Sequence, residues 1–584
     1  MSITAETAKA HAKDPAVLCC RAEEGITIEA ANLEDPAIFD DLVDSGLLNL
    51  EGVLTIEQVL GAKLKKTCDS LTALTPDVVE GYKEVAAEEP VEEETPKAEE
   101  VPAEAPAAPA APAAPAPVQG GVFKLHIGEG KDINLEIPVG IMGGAAAPAP
   151  AGIPAPVVQA VPVAEEKEAR VMGTLTRKHF NITEVKRGPE TKIDGTVLYI
   201  REGIEEEAAA GQELVNSLKI DIITPEMYHT YSNTIMDVQP IATKEGESEI
   251  GSGVTRVLDG VVMMVTGTDA NGVQIGEFGS SEGFLDENIM WGRPGAPEKG
   301  EIFIKTEVII KEGTNMERPG PLAAHTATDV ITQEIREALK KVDDSLVVDT
   351  EEFEHLRHPG KKKVVIVKEI MGQGAMHDNL ILPMEPVGVL GAKPNVDLGN
   401  VPVMTSPLEV LDGCIHALTC IGPASKEMSR HYWREPLVLE ALHDEELDLC
   451  GVLFVGSPQI NAEKFYVSKR VGQTVEALDV DGAFITTEGF GNNHIDFASH
   501  HEQIGKRGIP VVGLSFCAVQ GALVVGNPYM TNMVDNNKSE SGIENEVLAC
   551  NTLCKEEAVR AIAMLKAAMS GEEVKPAEKK WNPN

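Results

Sequence analysis

Between Asp412 and Pro423 the chain runs Asp-Gly-Cys-Ile-His-Ala-Leu-Thr-Cys-Ile-Gly-Pro. A cysteine with a hydroxyl residue before it and a Gly-Pro turn after it stands where a peptide bond can be strained. The Cys420 thiol can there attack the carbonyl of Thr419. A thiol needs a base or a positive field to react, because its ordinary pKa is about 8.5. His416 lies four residues before Cys420, one turn away if the segment is helical, and can supply that base. The opposing reading is an ordinary core cysteine beside a histidine that fills a helix end. These residues alone leave both open.

Two further stretches carry reactive groups: Met376-His377-Asp378-Asn379, and Glu488 to Asp496 with His500 and His501 behind it. The elements around them have one texture. Lys363–Lys368, Leu449–Val455, Gly482–Thr486 and Ile509–Ser515 are continuous apolar runs, and Asn493–Arg507 suits a helix. Apolar strands separated by helices predict a doubly wound, mostly parallel sheet, hence an α/β fold. Such sheets bind ligands beyond the carboxyl ends of their strands. Gly372-Gln373-Gly374, Gly456-Ser457-Pro458, Thr487 to His494 and Phe516-Cys517 fall at that rim.

Upstream, the strand-like runs Thr196–Ile200, Gly260–Val265 and Ile302–Ile310 precede an amphipathic helix over Ala323–Val342, which predicts an α+β domain. Pro/Ala-rich tracts flank an alternating pair, Gly121–Ile127 and Ile133–Ile137, with a hairpin signature. The expected order is a small helical unit over 1–82, with Thr55 as a helix cap, and an acidic Pro/Ala linker over 83–120. A hairpin over 121–144 and a second Pro/Ala linker over 145–168 follow. The α+β domain spans 169–360, the α/β domain with the Thr419–Cys420 bond spans 361–570, and 571–584 is a disordered tail.

A chain of 584 residues is ample for several cores, and its net charge of −43 argues against nucleic acid or an anionic membrane surface as partner. No apolar run reaches the roughly 18 residues of a spanning helix, and the N-terminus lacks the pattern of a signal peptide. Nine cysteines without framework spacing fit reduced thiols and a cytoplasmic protein, and no metal site is expected.

The segment Glu488-Gly489-Phe490-Gly491-Asn492-Asn493-His494 resembles the Glu-Gly-aromatic-Gly-Asn signature of the amino-acid reductases of Stickland fermentation. Met371-Gly372-Gln373-Gly374-Ala375-Met376-His377-Asp378-Asn379 and Thr419-Cys420-Ile421-Gly422-Pro423 resemble the pyruvoyl-bearing proprotein subunits of that glycine/sarcosine/betaine/proline reductase family, its D-proline branch most of all. The resemblance runs from about residue 170 to the C-terminus. It implies an N-to-S acyl shift at Cys420, β-elimination that releases a thioacid at Thr419, and hydrolysis with loss of ammonia to a pyruvoyl group. The self-derived pyruvoyl would bind the amine of D-proline so that a selenol can cleave the Cα–N bond, giving 5-aminovalerate. This sequence has no selenocysteine, so the resemblance further implies a selenoprotein subunit, an electron-transfer protein, and association of the two cleaved chains into a higher oligomer. Candidates for holding the substrate carboxylate and moving protons are His377, Asp378, Asn379, Glu488, Asn492 and His494, with His416 beside the cleavage site. Two alternatives stay open: the equivalent subunit of a glycine, sarcosine or betaine reductase, and an uncleaved, non-catalytic paralogue that serves as scaffold or amino-acid-binding module. Carbon dioxide release without a reductant would mark a third, a pyruvoyl decarboxylase.

Overall fold

The computed structural model describes residues 3, 5–19, 22, 25–34, 36, 39, 50, 52–68, 72–83, 122–127, 133–138, 169–275, 281–313, 319–370, 380–381, 385–388, 402–418, 428–458, 461–487, 493–517, 523, 525–538 and 547–572. They fall into two compact units, one of residues 1–83 with 166–584 and one of 84–165. Thr419, Cys420, His377, Asp378, Asn379, Glu488 and Asn492 lie outside the described residues, as do most of the Pro/Ala tracts and of the tail.

In the second unit β3 (Val122–Ile127) and β4 (Ile133–Pro138) pair antiparallel, with Ile127 opposite Ile133, which is the hairpin the alternation predicts. In residues 1–82 the helices Ala5–Ala10 and Ile56–Val59 are short, so the expected helical unit needs amending. It is completed by the pairing of β1 (Lys63–Leu64) with β2 (Val79–Glu80) and by isolated bridges such as Val17 with Ala73. Thr55 stands at the helix start as predicted, where its N–H donates to Gln58 Oε1 at 2.8 Å.

Among the described residues from 170 onward, four sheets of three or more strands carry the fold. A four-stranded sheet has β5 (Arg170–Asn181) between β12 (Gly253–Asp259) and β16 (Val347–Arg357), with β11 (Ala242–Lys244) beyond β12. A small sheet joins β6 (Glu184–Gly188), β7 (Lys192–Asp194) and β8 (Val197–Arg201). A five-stranded sheet has the order β14 (Ser281–Phe284), β10 (Tyr231–Gln239), β13 (Val261–Asp269), β15 (Ile302–Ile310) and β9 (Val215–Ile223). β13 and β15 are nearly continuous apolar runs because both their faces are covered. The Pro319–Leu339 helix, expected over Ala323–Val342, lays Ile331, Ile335 and Leu339 on that sheet. Burying each such side chain contributes about 1.5–3 kcal/mol.

The last sheet has the order β19 (Val403–Thr405), β21 (Leu447–Gly456), β17 (Lys362–Ile370), β22 (Gly482–Thr487), β23 (Val511–Ser515) and β24 (Met533–Asp535). All neighbours run parallel except β19, which confirms a mostly parallel sheet. Period-two alternation sorts its core: Val364 and Ile366 meet Leu437, Ile562 and Leu565 on one face, while Val365 and Val367 meet Val467, Val471 and Phe497 on the other. Helices thus cover both faces: Pro436–His443 and Lys555–Met569 on one, Asn461–Ala477 and Asn493–Gly505 on the other. No helix among the described residues is long and apolar enough to cross a membrane.

The boundary expected at residue 360 separates sheets but not compact units. Lys244 and Asp412 form a buried ion pair across it at 2.5 Å, and Thr255 and the Gly251 N–H also donate to Asp412. Within the last sheet Lys368 on β17 pairs with Glu435 at 2.9 Å, both fully buried. Removing one partner strands a charge in the core. Lys368→Met is therefore expected to cost about 3–5 kcal/mol in urea unfolding, and Lys368→Met with Glu435→Gln, which keeps an acceptor for the Val438 N–H, to recover most of it. Equal losses in the single and double variants would contradict this.

Candidate active site

β18 (Leu380–Ile381) and β20 (Ile415–His416) pair antiparallel, Leu380 opposite His416. The chain therefore enters β18 and leaves β20 at the same end of the ladder. The residues that precede Leu380 are Asn379, Asp378 and His377, and those that follow His416 lead to Thr419 and Cys420. Two stretches that carry predicted site residues thus flank one short ladder.

The ladder is held from below. Gly413 turns the chain into β20 at φ +78°, and a Cβ there would lie 3.0 Å from Val387 Cγ2 and 3.2 Å from its backbone N. The Val387 N–H donates to Gly413 O at 2.9 Å, a close approach that glycine alone permits. Cys414 next to it is buried, and desolvation pushes its thiol well above its ordinary pKa, so it is a core residue without a reactive thiolate.

His416 sits in a strand, so the helical reading of this stretch does not hold at His416. Its Nδ1 lies 2.8 Å from Val387 O, and since a carbonyl only accepts, Nδ1 carries the proton and Nε2 the lone pair. His325, on the Pro319–Leu339 helix, repeats the arrangement with Nδ1 at 2.7 Å from Pro321 O. The two rings meet edge to face at 5.0 Å. Full burial pushes both imidazoles down to about 3, so both are neutral bases near pH 7.

Between them lies Asp237, at the end of β10. It accepts from the Ser429 N–H at 2.9 Å, the Ser429 hydroxyl at 2.5 Å and the Gln239 amide at 2.9 Å. Ser429 Oγ in turn accepts from the Ala417 N–H at 2.8 Å, which fastens the strand leading to Thr419 onto the Asp237 carboxylate. Burial raises Asp237 from its ordinary 3.8 to about 7, against the pull of these bonds. The folded protein thus holds the Asp237 proton more tightly than the unfolded chain, so this group's contribution to stability falls as pH rises from about 4 to about 7 and is level above. Asp237→Asn removes that slope. Urea midpoints at about pH 5 and about pH 8 should converge in the variant relative to wild type, and an unchanged pH response would contradict the assignment.

Asp237, His325 and His416 offer ligand atoms within 4.8 Å of one another, as do the exposed His229, Asp286 and Glu287 and the group Cys554, Glu556, Glu557. A metal fits the buried trio poorly. The Gln239 amide nitrogen stands 2.9 Å from Asp237 and 3.3 Å from His416 Nε2, placing a donor where an ion would sit. The arrangement suits proton transfer and strand positioning instead.

A second polar cluster gathers at the carboxyl ends of the parallel strands, where the sequence placed the ligand rim. Lys464 on the Asn461–Ala477 helix pairs with Asp496 and donates to Ser457 at 3.0 Å, and Ser457 donates to Asp496 at 2.5 Å. Glu369, at the end of β17, accepts from the Thr487 hydroxyl at 3.1 Å. The predicted His494 is buried on the Asn493–Gly505 helix, with Nε2 at 2.8 Å from Ser515 Oγ. Desolvation lowers it to about 4, so it too is neutral. The structure does not join His494 to His416, as they belong to separate clusters. Sequence reasoning missed Asp237, His325, Glu369 and Lys464. The signal available was a charge inside an apolar run, as in Val367-Lys368-Glu369-Ile370.

Comparison with known proteins places the chain in a family. Residues 173–522 match the family model of glycine/sarcosine/betaine reductase component B subunits. The chain is 69 % identical to the D-proline reductase proprotein PrdA of Acetoanaerobium sticklandii, over 100 % of this chain and 94 % of that one. It is 26 % identical to the glycine reductase complex component B subunits alpha and beta of the same organism, over 57 % of this chain and 77 % of that one. It is 24 % identical to the sarcosine reductase complex component B subunit alpha of Peptoclostridium acidaminophilum, over 57 % and 76 %. No solved structure matches the chain significantly. The chain belongs to the family of glycine/sarcosine/betaine reductase component B subunits.

Proposed function

We propose that this chain is the proprotein of a D-proline reductase, cut between Thr419 and Cys420, with Cys420 becoming the pyruvoyl cap of the smaller product. The observation that carries the reading is the 69 % identity over the whole chain to a D-proline reductase proprotein, and the pairing of Leu380 with His416 supports it. The gap between 69 % identity to that protein and 24–26 % to the glycine and sarcosine components favours D-proline over the other branches.

The chain's own residues have definable tasks. Asp237, through Ser429, holds the Ala417 N–H, so the strand before the scissile bond is fixed two residues upstream of Thr419. His416 and His325 are neutral imidazoles that burial keeps from holding a second proton near pH 7, with Nε2 left as an acceptor. His377, Asp378, Asn379, Glu488, Asn492 and His494 are assigned to the substrate carboxylate and to proton movement. A pyruvoyl carbonyl supplies an electrophile that withdraws electrons from a bound amine, which no ordinary side chain does. The reducing equivalents come from a partner, a selenol-bearing subunit re-reduced by an electron-transfer protein, within a cytoplasmic oligomer of the two cleaved chains. The processed chain combined with such a selenoprotein and a dithiol is expected to convert D-proline to 5-aminovalerate. Glycine, sarcosine or betaine turnover in place of D-proline would overturn the substrate assignment, and carbon dioxide release without reductant the reaction.

A further inference from the structure

We propose that Glu369, Asp496 and His500 form a binding site for a compact protonated amine at the carboxyl edge of the last sheet. The three converge there by construction. Glu369 ends β17 in register with Thr487 of β22, and Asp496 and His500 stand four residues apart on one face of the Asn493–Gly505 helix. His500 Nε2 lies 3.6 Å from Glu369 Oε2, beyond hydrogen-bond distance.

Each of these side chains is buried and incompletely partnered. Glu369 Oε2, Asp496 Oδ1 and both ring nitrogens of His500 lack hydrogen-bond partners. Buried polar groups in folded proteins are satisfied in the great majority of cases, so such a concentration marks a missing donor. The unmet atoms define its chemistry: two are carboxyl oxygens, which only accept once ionised. The nearby cation Lys464 is committed to Asp496 and Ser457, and Lys368 pairs with Glu435. Two carboxyl groups facing one lysine leave a place for one positive charge with N–H donors. Burial and the charge of Asp496 raise the pKa of Glu369 well above the ordinary carboxylate range, so without a cation its carboxyl holds a proton, which a bound cation would release. The location fits as well. β17 has β21 on one side and β22 on the other, so the chain reverses direction across the sheet here, and the crevice at such a switch point is where open α/β sheets take ligands.

A secondary ammonium, with two N–H groups and one charge, matches this demand, and the ring nitrogen of a proline zwitterion is one. That identification rests on the proposed function, whereas the site itself does not. The experiment separates them by measuring binding to processed protein whose carbonyl groups have been reduced with borohydride. Calorimetric titration with pyrrolidinium, which has the ammonium and no carboxylate, is expected to show binding that Glu369→Gln weakens on the order of tenfold. Cyclopentanecarboxylate, with the carboxylate and no amine, is expected not to compete. Equal pyrrolidinium affinity in wild type and Glu369→Gln overturns the site, as does competition by cyclopentanecarboxylate. If Glu369→Gln does not fold, wild type alone decides: absence of pyrrolidinium binding means that water satisfies the cluster and the inference falls.

Discussion

Cys420→Ala should accumulate as one uncleaved chain of 62.4 kDa without D-proline reductase activity, whereas Cys414→Ala should still be processed. The asymmetry follows from environment. Cys414 is fully buried beside the Gly413 turn, and desolvation suppresses its thiolate. Its substitution removes a little packing, worth about 1–2 kcal/mol, and no chemistry. Cys420 follows the strand that Ser429 and Asp237 hold in place. Intact-mass analysis of the two variants checks both statements, and loss of processing in Cys414→Ala would show that the wrong cysteine has been assigned.

Asp237→Ala should have the second largest effect. It removes the acceptor for the Ser429 N–H, the Ser429 hydroxyl and the Gln239 amide, all buried, at a cost of roughly 1–3 kcal/mol for each donor left unmet. The sum approaches the stability of a typical domain. Any folded fraction loses the anchor on Ala417, and misplacing reacting groups by about 1 Å can slow a reaction on the order of a hundredfold. The ratio of full-length to cleaved chain against time after synthesis measures this. Ser429→Ala, which cuts the same link but leaves Asp237, should slow processing with a smaller loss of stability. Cleavage at the wild-type rate in both variants would remove Asp237 from the account.

Much of the architecture was legible because burial writes itself into apolar patterning. The runs Lys363–Lys368, Leu449–Val455, Gly482–Thr486 and Ile509–Ser515 became β17, β21, β22 and β23, in parallel as read. The stripe Ile331, Ile335, Leu339 became the core face of its helix. His416 was legible as a residue of interest but not as a strand residue, because Ile415–His416 is too short to show a period. The partners of His416 were not legible at all. Gln239 lies 177 residues away in the chain, and Ser429 meets Asp237 across 192 residues, so only the folded sheets bring these groups together. In the last sheet Lys368 and Glu369 stand out as charges inside an apolar strand, but nothing local shows which partner each one faces. The N-terminal unit misled for a related reason: helical spacing around Ile56 and Val59 was real, yet bridges such as Pro15 with Thr55 are tertiary and leave no local trace.

The central claim is that Cys420 is consumed to make an electrophile. Treating the purified wild-type protein with phenylhydrazine and mapping its peptides by mass tests it most directly. The account predicts two chains, with the label on the N-terminal peptide of the smaller one, at the position of Cys420 and followed by Ile421-Gly422-Pro423. A single unlabelled chain of 62.4 kDa with an intact Cys420 thiol, in protein purified with its reductase partners, would contradict it.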